Sequence, residues 1–248
     1  MKTPLALTFF MTALAACSPA HQPTPSATTT TASARPTGAD LDKTTARWID
    51  NHLIDLMSPE GTFLRATVES ARIVESSPRQ GYSGLDEGYP GYRHAFNASF
   101  PAEQMAGGGG TWVGTRFYEV IDARKDGDRY TFTYCDYGSL VARKESDGQY
   151  SSTGSDPSWG DWDVTFGPDP KLHASQQVAP KARQRGPGAK PADNVFGTWV
   201  MFKRDTVFHP QCKKLAPGTP TNWPNPYVRA DPPPTLPPDP GWPDAGSA

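Results

Sequence analysis

WVGTRFYEVID at Trp112–Asp122 and RYTFTYCDY at Arg129–Tyr137 are the runs on which the fold turns. They flank Lys125-Asp126-Gly127-Asp128, and an Asp-Gly pair between alternating apolar runs signals a hairpin. Side chains alternate along a strand, so Tyr130, Phe132 and Tyr134 take one face and Thr131, Thr133 and Cys135 the other. The alternation returns at Trp162, Val164 and Phe166, set against Asp161, Asp163 and Thr165. A further strand-like run covers Phe196 to about Phe208 (FGTWVMFKRDTVF), and Gly167 to Asp193 interrupts the sheet.

Upstream of the hairpin the period changes. In DLDKTTARWIDNHLIDLM, Leu41, Trp48, Ile49, Leu53 and Leu56 recur at helical spacing, away from Asp42, Lys43, Asp50 and Asp55. With Asp40 as a cap and Pro59 as a stop, this predicts a helix over 40–57. Thr62–Glu75 (TFLRATVESARIVE) suits a helix through Leu64, Val68 and Ala71 and a strand through Val68, Ser70, Arg72 and Val74; the helix is preferred. In YPGYRHAF, Pro90 predicts the start of one or two helical turns. Helices followed by an antiparallel sheet define an α+β domain, N-terminal helices packed on a bent antiparallel sheet. This order, with the YPGYRHAF turn, gives Asp40–Phe208 a resemblance to the cone-shaped fold of the nuclear transport factor 2 superfamily. That superfamily holds enzymes and noncatalytic binding domains alike, so the resemblance implies a fold and no reaction.

The two ends differ in composition from the middle. Lys2 and the apolar run Leu5–Leu14 have the form of a signal peptide over 1–16, too short for the about 20 residues a membrane-spanning helix needs. Leu14-Ala15-Ala16-Cys17 resembles the lipobox of bacterial lipoproteins. That resemblance implies a diacylglyceryl group on the Cys17 thiol, cleavage just before it, and further acylation of the new amino terminus. Two or three acyl chains hold stably where one holds marginally, so the expected location is the extracytoplasmic face of the cell membrane. Residues 17–39 then form a disordered Pro/Ser/Thr tether, and 217–248, with PPPTLPPDP at Pro232–Pro240, an extended Pro-rich tail. Between them, 40–216 is read as a single domain whose roughly 170 residues can bury a core. Lipobox, tether and Pro-rich end together resemble envelope lipoproteins of actinobacteria, from which no active-site residue carries over. In the compartment so implied, Cys135 and Cys212 are expected to form a disulfide, the alternative being two unpaired buried thiols.

No reaction is legible. A net charge of -2 argues against nucleic acid as a partner. The run Ala106-Gly107-Gly108-Gly109-Gly110-Thr111 lacks the Lys-Ser/Thr of a phosphate loop and reads as entry to a strand. Asp156, Asp161 and Asp163 in DPSWGDWD lack the spacing of a calcium loop, and His52, His94, His173 and His209 accompany no nucleophile motif. No metal, cofactor or catalytic residue is assigned. Trp112, Tyr118, Tyr130, Tyr134, Trp162 and Trp199 lie on expected strands and are read either as the lining of a pocket for an apolar or sugar ligand or as core. The 167–193 insertion carries Lys171, Lys181, Arg183, Arg185 and Lys190, a solvated loop or a contact for anionic headgroups or phosphate-bearing wall polymers. The expected function is that of a lipid-anchored module binding a small apolar ligand or an envelope protein. The alternative is an envelope enzyme of isomerase, dehydratase or hydrolase type, with His94 or an inward-facing Asp as acid or base. A third reading makes the Pro-rich end the partner-binding element.

Overall fold

A computed structural model of the protein describes residues 35–96, 109–157 and 160–244. Cys17, the signal-like segment, most of the tether, Gly107 and Gly108 lie outside the described residues. The helices are α1 (Gly38–Leu41), α2 (Pro59–Ser76), α3 (Gly81–Leu85) and α4 (Tyr92–Ala95). The strands are β1 (Asp42–Ile49), β2 (Trp112–Asp126), β3 (Arg129–Tyr137), β4 (Val141–Lys144), β5 (Tyr150–Ser152), β6 (Asp161–Pro168), β7 (Trp199–Val207) and β8 (Tyr227–Arg229). They form one sheet in the order β7-β6-β3-β2-β4-β5-β8, with antiparallel neighbours throughout, and β1 joins β2 in parallel. The protein is α+β, with more sheet than helix.

The β2–β3 hairpin forms where the sequence places it, from Phe117 opposite Tyr137 to Asp126 opposite Arg129. Gly127, at φ 59, takes the first turn position, where a side chain would be strained. The period of two is realised as two cores. Tyr118, Val120, Phe132 and Tyr134 join the larger cluster with Phe63, Leu64 and Val68 of α2, while Phe117, Cys135 and Tyr137 join a smaller one with Cys212 and Ala216. Helix α2 starts at Pro59 after Ser58, whose Oγ accepts from Gly61 N at 3.1 Å. It is the helix preferred for Thr62–Glu75. Every residue of it from Gly61 to Ala71 is buried, so the helix needs cover on the side away from the sheet as well. Phe63 anchors the sheet side, its ring 4.4 Å from that of Phe166. Emptying a site of that kind costs about 3 to 5 kcal/mol.

Four expectations are corrected. The helix over 40–57 reduces to the single turn of α1, and Asp42–Ile49 is a strand. Trp48 and Ile49 are adjacent yet pack into opposite clusters, as strand residues do, and Leu53 is left 50% exposed. The β-branched pair Thr44-Thr45 also suits a strand.

The Pro-rich end is extended, but it is part of the domain rather than a tail beyond 216. β8 pairs with β5, and further on Trp48 N donates to Asp239 O at 2.7 Å and Asp239 N to Ala46 O at 3.1 Å. The segment thereby fills hydrogen bonds on the edge of β1 away from β2. Thr45 Oγ1 donates to Leu236 O at 2.7 Å, Thr115 Oγ1 to Pro234 O at 3.0 Å, and Trp242 is 1% exposed. Proline carbonyls keep their acceptor capacity although the ring has no N–H to give, so such a segment suits a strap.

At the other boundary the domain begins before residue 40. Thr37 and Asp40 form a capping box around α1, and Gly38 N donates to Glu87 Oε2. α4 starts after Gly91, whose φ of 91 no Pro90-led helix would contain.

Candidate functional site

Arg65, Glu69, Arg72 and Glu75 recur along α2 at spacings of four and three, which places them in one row. The row divides into two clusters. Arg65 and Glu69 hold the strap: Arg65 donates to the carbonyls of Gln184 at 2.8 Å, Pro240 at 2.6 Å and Gly241 at 2.9 Å. Its guanidinium lies 4.3 Å over the Trp242 ring. Glu69 accepts from Trp48 Nε1 at 2.9 Å on one oxygen, and from Tyr89 Oη at 2.8 Å and Trp242 Nε1 at 2.7 Å on the other. Burial pushes the Glu69 carboxyl above the usual range, against the opposing pull of Arg65 and the three donors.

Arg72 and Glu75 meet the sheet. Arg72 Nη1 donates to Glu75 Oε2 at 2.5 Å, and Arg204 Nη2 of β7 reaches Glu75 Oε1 at 3.2 Å. Arg116 Nη1 of β2 donates to both carboxylate oxygens of Asp136 at 2.9 Å. Arg204 also lies 4.0 Å over the Trp162 ring. Burial opposes charge on Arg116 and Arg204, but Asp136 beside the first and Tyr134 and Glu75 beside the second outweigh it, so both remain cations. Burial works to raise Glu75 too, and there Arg72 and Arg204 win and hold the carboxyl below its usual range. The Nε–H groups of Arg72, Arg116 and Arg204 are buried and have no acceptor, and the same holds for those of Arg65 and Arg229. An unmet buried donor costs about 1 to 3 kcal/mol.

Arg72 and Arg116 line three hollows. The first, a cleft of 470 Å³, is bordered also by Glu69, Tyr89, Tyr118 and Lys190 and by Pro243 of the strap. The second, of 160 Å³, is lined by Val68, Glu75, Tyr134, Asp136, Trp162 and Arg204. The third, a groove of 530 Å³, runs past Trp112 and Arg143 to Asn225. These hollows offer cationic forks, half-exposed tryptophans and tyrosine rings, and the forks are equipment for holding an acid. Carboxylates stand beside them: Asp42, Glu69 and Asp244 in the cleft, Glu75 and Asp136 in the cavity and Glu145 in the groove.

The six aromatics read from the sequence do not share one pocket. Tyr118, Tyr130, Tyr134 and Trp199 pack in or against the larger core, with Tyr130 and Trp199 stacked at 5.4 Å. Phe63 and Phe166 fill the space they would have enclosed. Tyr118 still borders the cleft, Tyr134 and Trp162 the smaller cavity, and Trp112 the groove. Cys135 and Cys212 form the disulfide, with Cα atoms 5.2 Å apart, in the smaller core.

The remaining candidates are dispersed. None of His52, His94, His173 and His209 lines the three hollows around Arg72 and Arg116; His94 Nε2 lies 3.4 Å from Thr198 O at the surface. Asp161 accepts from His209 N and Asp163 from Thr133 Oγ1, while Asn225 Nδ2 donates to Asp156 at 3.1 Å. Among the described residues no group of three or more His, Cys, Asp or Glu is placed to hold a metal ion. In the basic insertion Lys181 lies 3.6 Å from Asp193 and Arg185 3.5 Å from Asp239, while Lys190 borders the cleft. Arg72, Arg116 and Arg204 are the residues that sequence reading missed. Their signal was the row of charges on a helix that is otherwise apolar or small, and an arginine inside each of two strand runs. No family model, curated protein or solved structure matches the chain.

Proposed function

We propose that the protein is a lipid-anchored, extracytoplasmic binding module that takes a small anionic ligand at Arg72 and Arg116. The observation that carries this reading is that both guanidiniums border all three hollows while keeping a buried N–H without an acceptor. The lipobox at Cys17 supports the anchor, and the Cys135–Cys212 disulfide suits an oxidising compartment. The helix α2 laid across one face of the sheet supports the cone-shaped arrangement as the finer description of the fold. Because most of the aromatics serve as core and the hollows carry arginine, the ligand is an acid and not the apolar or sugar molecule that the strand aromatics suggested. A binding role also ranks above an enzymatic one: of the carboxyls that border the cleft, Glu69 spends both oxygens on Trp48, Tyr89 and Trp242, and Asp42 accepts from Thr44 and Ser76.

The test is a thermal-shift screen of the full chain against carboxylates and phosphates, beside the variant Arg72→Gln. A binder raises the midpoint of the wild type by mass action and leaves the variant unmoved. If no acid in the panel shifts the wild type, or if the shifts are the same in both proteins, the reading fails.

A further inference from the structure

The 160 Å³ cavity is walled by arginines from three separate elements, Arg72 of α2, Arg116 of β2 and Arg204 of β7. Arg116 and Arg204 are 8% and 7% exposed, and all three keep a buried Nε–H with no acceptor. The acids on the same wall are Glu75 and Asp136, and Asp42 borders the adjoining cleft beside Arg72 and Arg116, so the wall draws an anion through its guanidinium N–H groups and not through surplus charge. We infer that this cavity is a subsite for one phosphoryl group, which makes the ligand a phosphate ester or inorganic phosphate.

The inference rests on the reading of Arg72 and Arg116 as an anion site and adds the chemistry of the anion. A carboxylate is planar and has two oxygens, whereas a phosphoryl group presents three non-ester oxygens in a tetrahedral arrangement. Three guanidiniums from a helix and two strands line the cavity, and guanidiniums suit the oxygens of a phosphoryl group. The cavity, at 160 Å³, has room for one phosphoryl group. The donors are held before the ligand arrives, Arg116 by Asp136, Arg72 by Glu75, and Arg204 by Glu75 and the face of Trp162. Fixing them in advance reduces the ordering that binding must supply. The organic part of an ester would lie in the cleft or the groove, since Arg72 and Arg116 border both.

The experiment titrates inorganic phosphate, glycerol 3-phosphate and acetate into the full chain. Affinity is followed by calorimetry, and the arginine Nε–Hε signals by nitrogen-15 NMR. Phosphate and its ester should bind at least tenfold tighter than acetate, and should shift the Nε signals of Arg72, Arg116 and Arg204 where acetate does not. An ester at least tenfold tighter than phosphate identifies the ligand as an ester; equal affinities identify inorganic phosphate. Arg204→Gln should weaken phosphate binding at least tenfold. Arg204→Lys, which keeps the charge beside Glu75 but not the fork, should fold as the wild type does and still bind phosphate several-fold more weakly. Acetate binding as tightly as phosphate, or unmoved Nε signals, would overturn the phosphoryl subsite and leave the anion site standing. If none of the three ligands binds and the thermal-shift screen is also silent, both readings fall together.

Discussion

Trp242 Nε1 donates to Glu69 Oε2 at 2.7 Å, a bond that spans 173 residues and ties the far end of the described chain to the middle of α2. Arg65, one turn earlier, holds the carbonyls of Pro240 and Gly241, so the grip is on backbone and side chain together. The consequence reaches the ligand site. Pro243, just beyond the clasp, borders the 470 Å³ cleft that Glu69 and Arg72 also border. The strap is therefore a wall of the cleft as well as the outer cover of α2.

Removing that anchor should destabilise the whole domain. Trp242→Ala empties a site that is 1% exposed and removes a donor from a buried carboxylate, with an expected loss of about 4 kcal/mol. Trp242→Phe keeps an aromatic ring and loses the N–H, for about 1 to 2 kcal/mol. Urea unfolding measures both. Midpoints equal to the wild type in the two variants would mean that the strap only lies on the surface.

Two glutamates of α2 titrate in opposite directions, which gives stability two pH limbs. Both start from an ordinary value of 4.5. Glu75 is held lower, since its arginines outweigh burial; its contribution is present above the unfolded value and is lost as pH falls through the folded one. Glu69 is raised by burial, so its contribution is complete below the unfolded value and declines as pH rises through the folded one. Glu75→Gln should flatten the acid limb of the melting temperature against pH, and Glu69→Gln the limb on the other side. Glu69→Gln should also cost about 1 to 3 kcal/mol, because its amide meets indole and phenol donors. If neither substitution alters the slope on its own side, the clusters do not carry the linkage.

Much of this was written in the sequence, and what was not has physical causes. The β2–β3 hairpin is legible because one face of each strand is buried in one core and the other face in a second, so alternation and burial coincide. The segment 40–57 misleads because a strand, a turn and the approach to α2 lie end to end, and their apolar residues happen to fall at helical intervals. β4, β5 and β8 are three or four residues long, too short to show a period of their own. The strap is a row of prolines whose partners lie in β1, β2 and α2, so nothing local marks where it binds; the lone Trp242 was the available clue. The arginine site is assembled from three distant segments, and each arginine read singly is an ordinary charge.

The disulfide predicts its own experiment. Closing a loop with a sequence separation of 77 gives roughly 4 kcal/mol in the chain-entropy description. Replacing both cysteines by Ala should lower stability by that order and loosen the small core in which Phe117, Tyr137 and Ala216 pack. Because Cys135 is fully buried and Cys212 nearly so, a mild reductant should act on the native wild type only slowly and on the urea-unfolded chain at once. A double variant as stable as the wild type would show that the two cores hold without the link.

The anchor is tested at Cys17. Cys17→Ser should release the protein from membranes or leave its precursor uncut, as read by fractionation of the producing cell and by the intact mass. Unchanged processing together with full membrane retention would refute the lipoprotein reading, and would leave the arginine site to be judged separately.

Arg116 and Asp136 let stability be separated from binding. Both are buried and share two hydrogen bonds at 2.9 Å, so removing either partner strands a charge at a cost of about 3 to 5 kcal/mol. Replacing both by apolar residues of similar volume, Arg116→Met with Asp136→Leu, should recover most of that loss, since a buried pair contributes little net stability over a packed apolar one. Ligand binding should follow a different rule. It should be lost in Arg116→Met and equally in the double variant, because the fork that meets the acid is absent from both. Chemical denaturation and phosphate calorimetry on the wild type, the two single variants and the double variant give the full cycle. Phosphate affinity that returns together with stability in the double variant would make Arg116 a structural residue and move the anion site elsewhere.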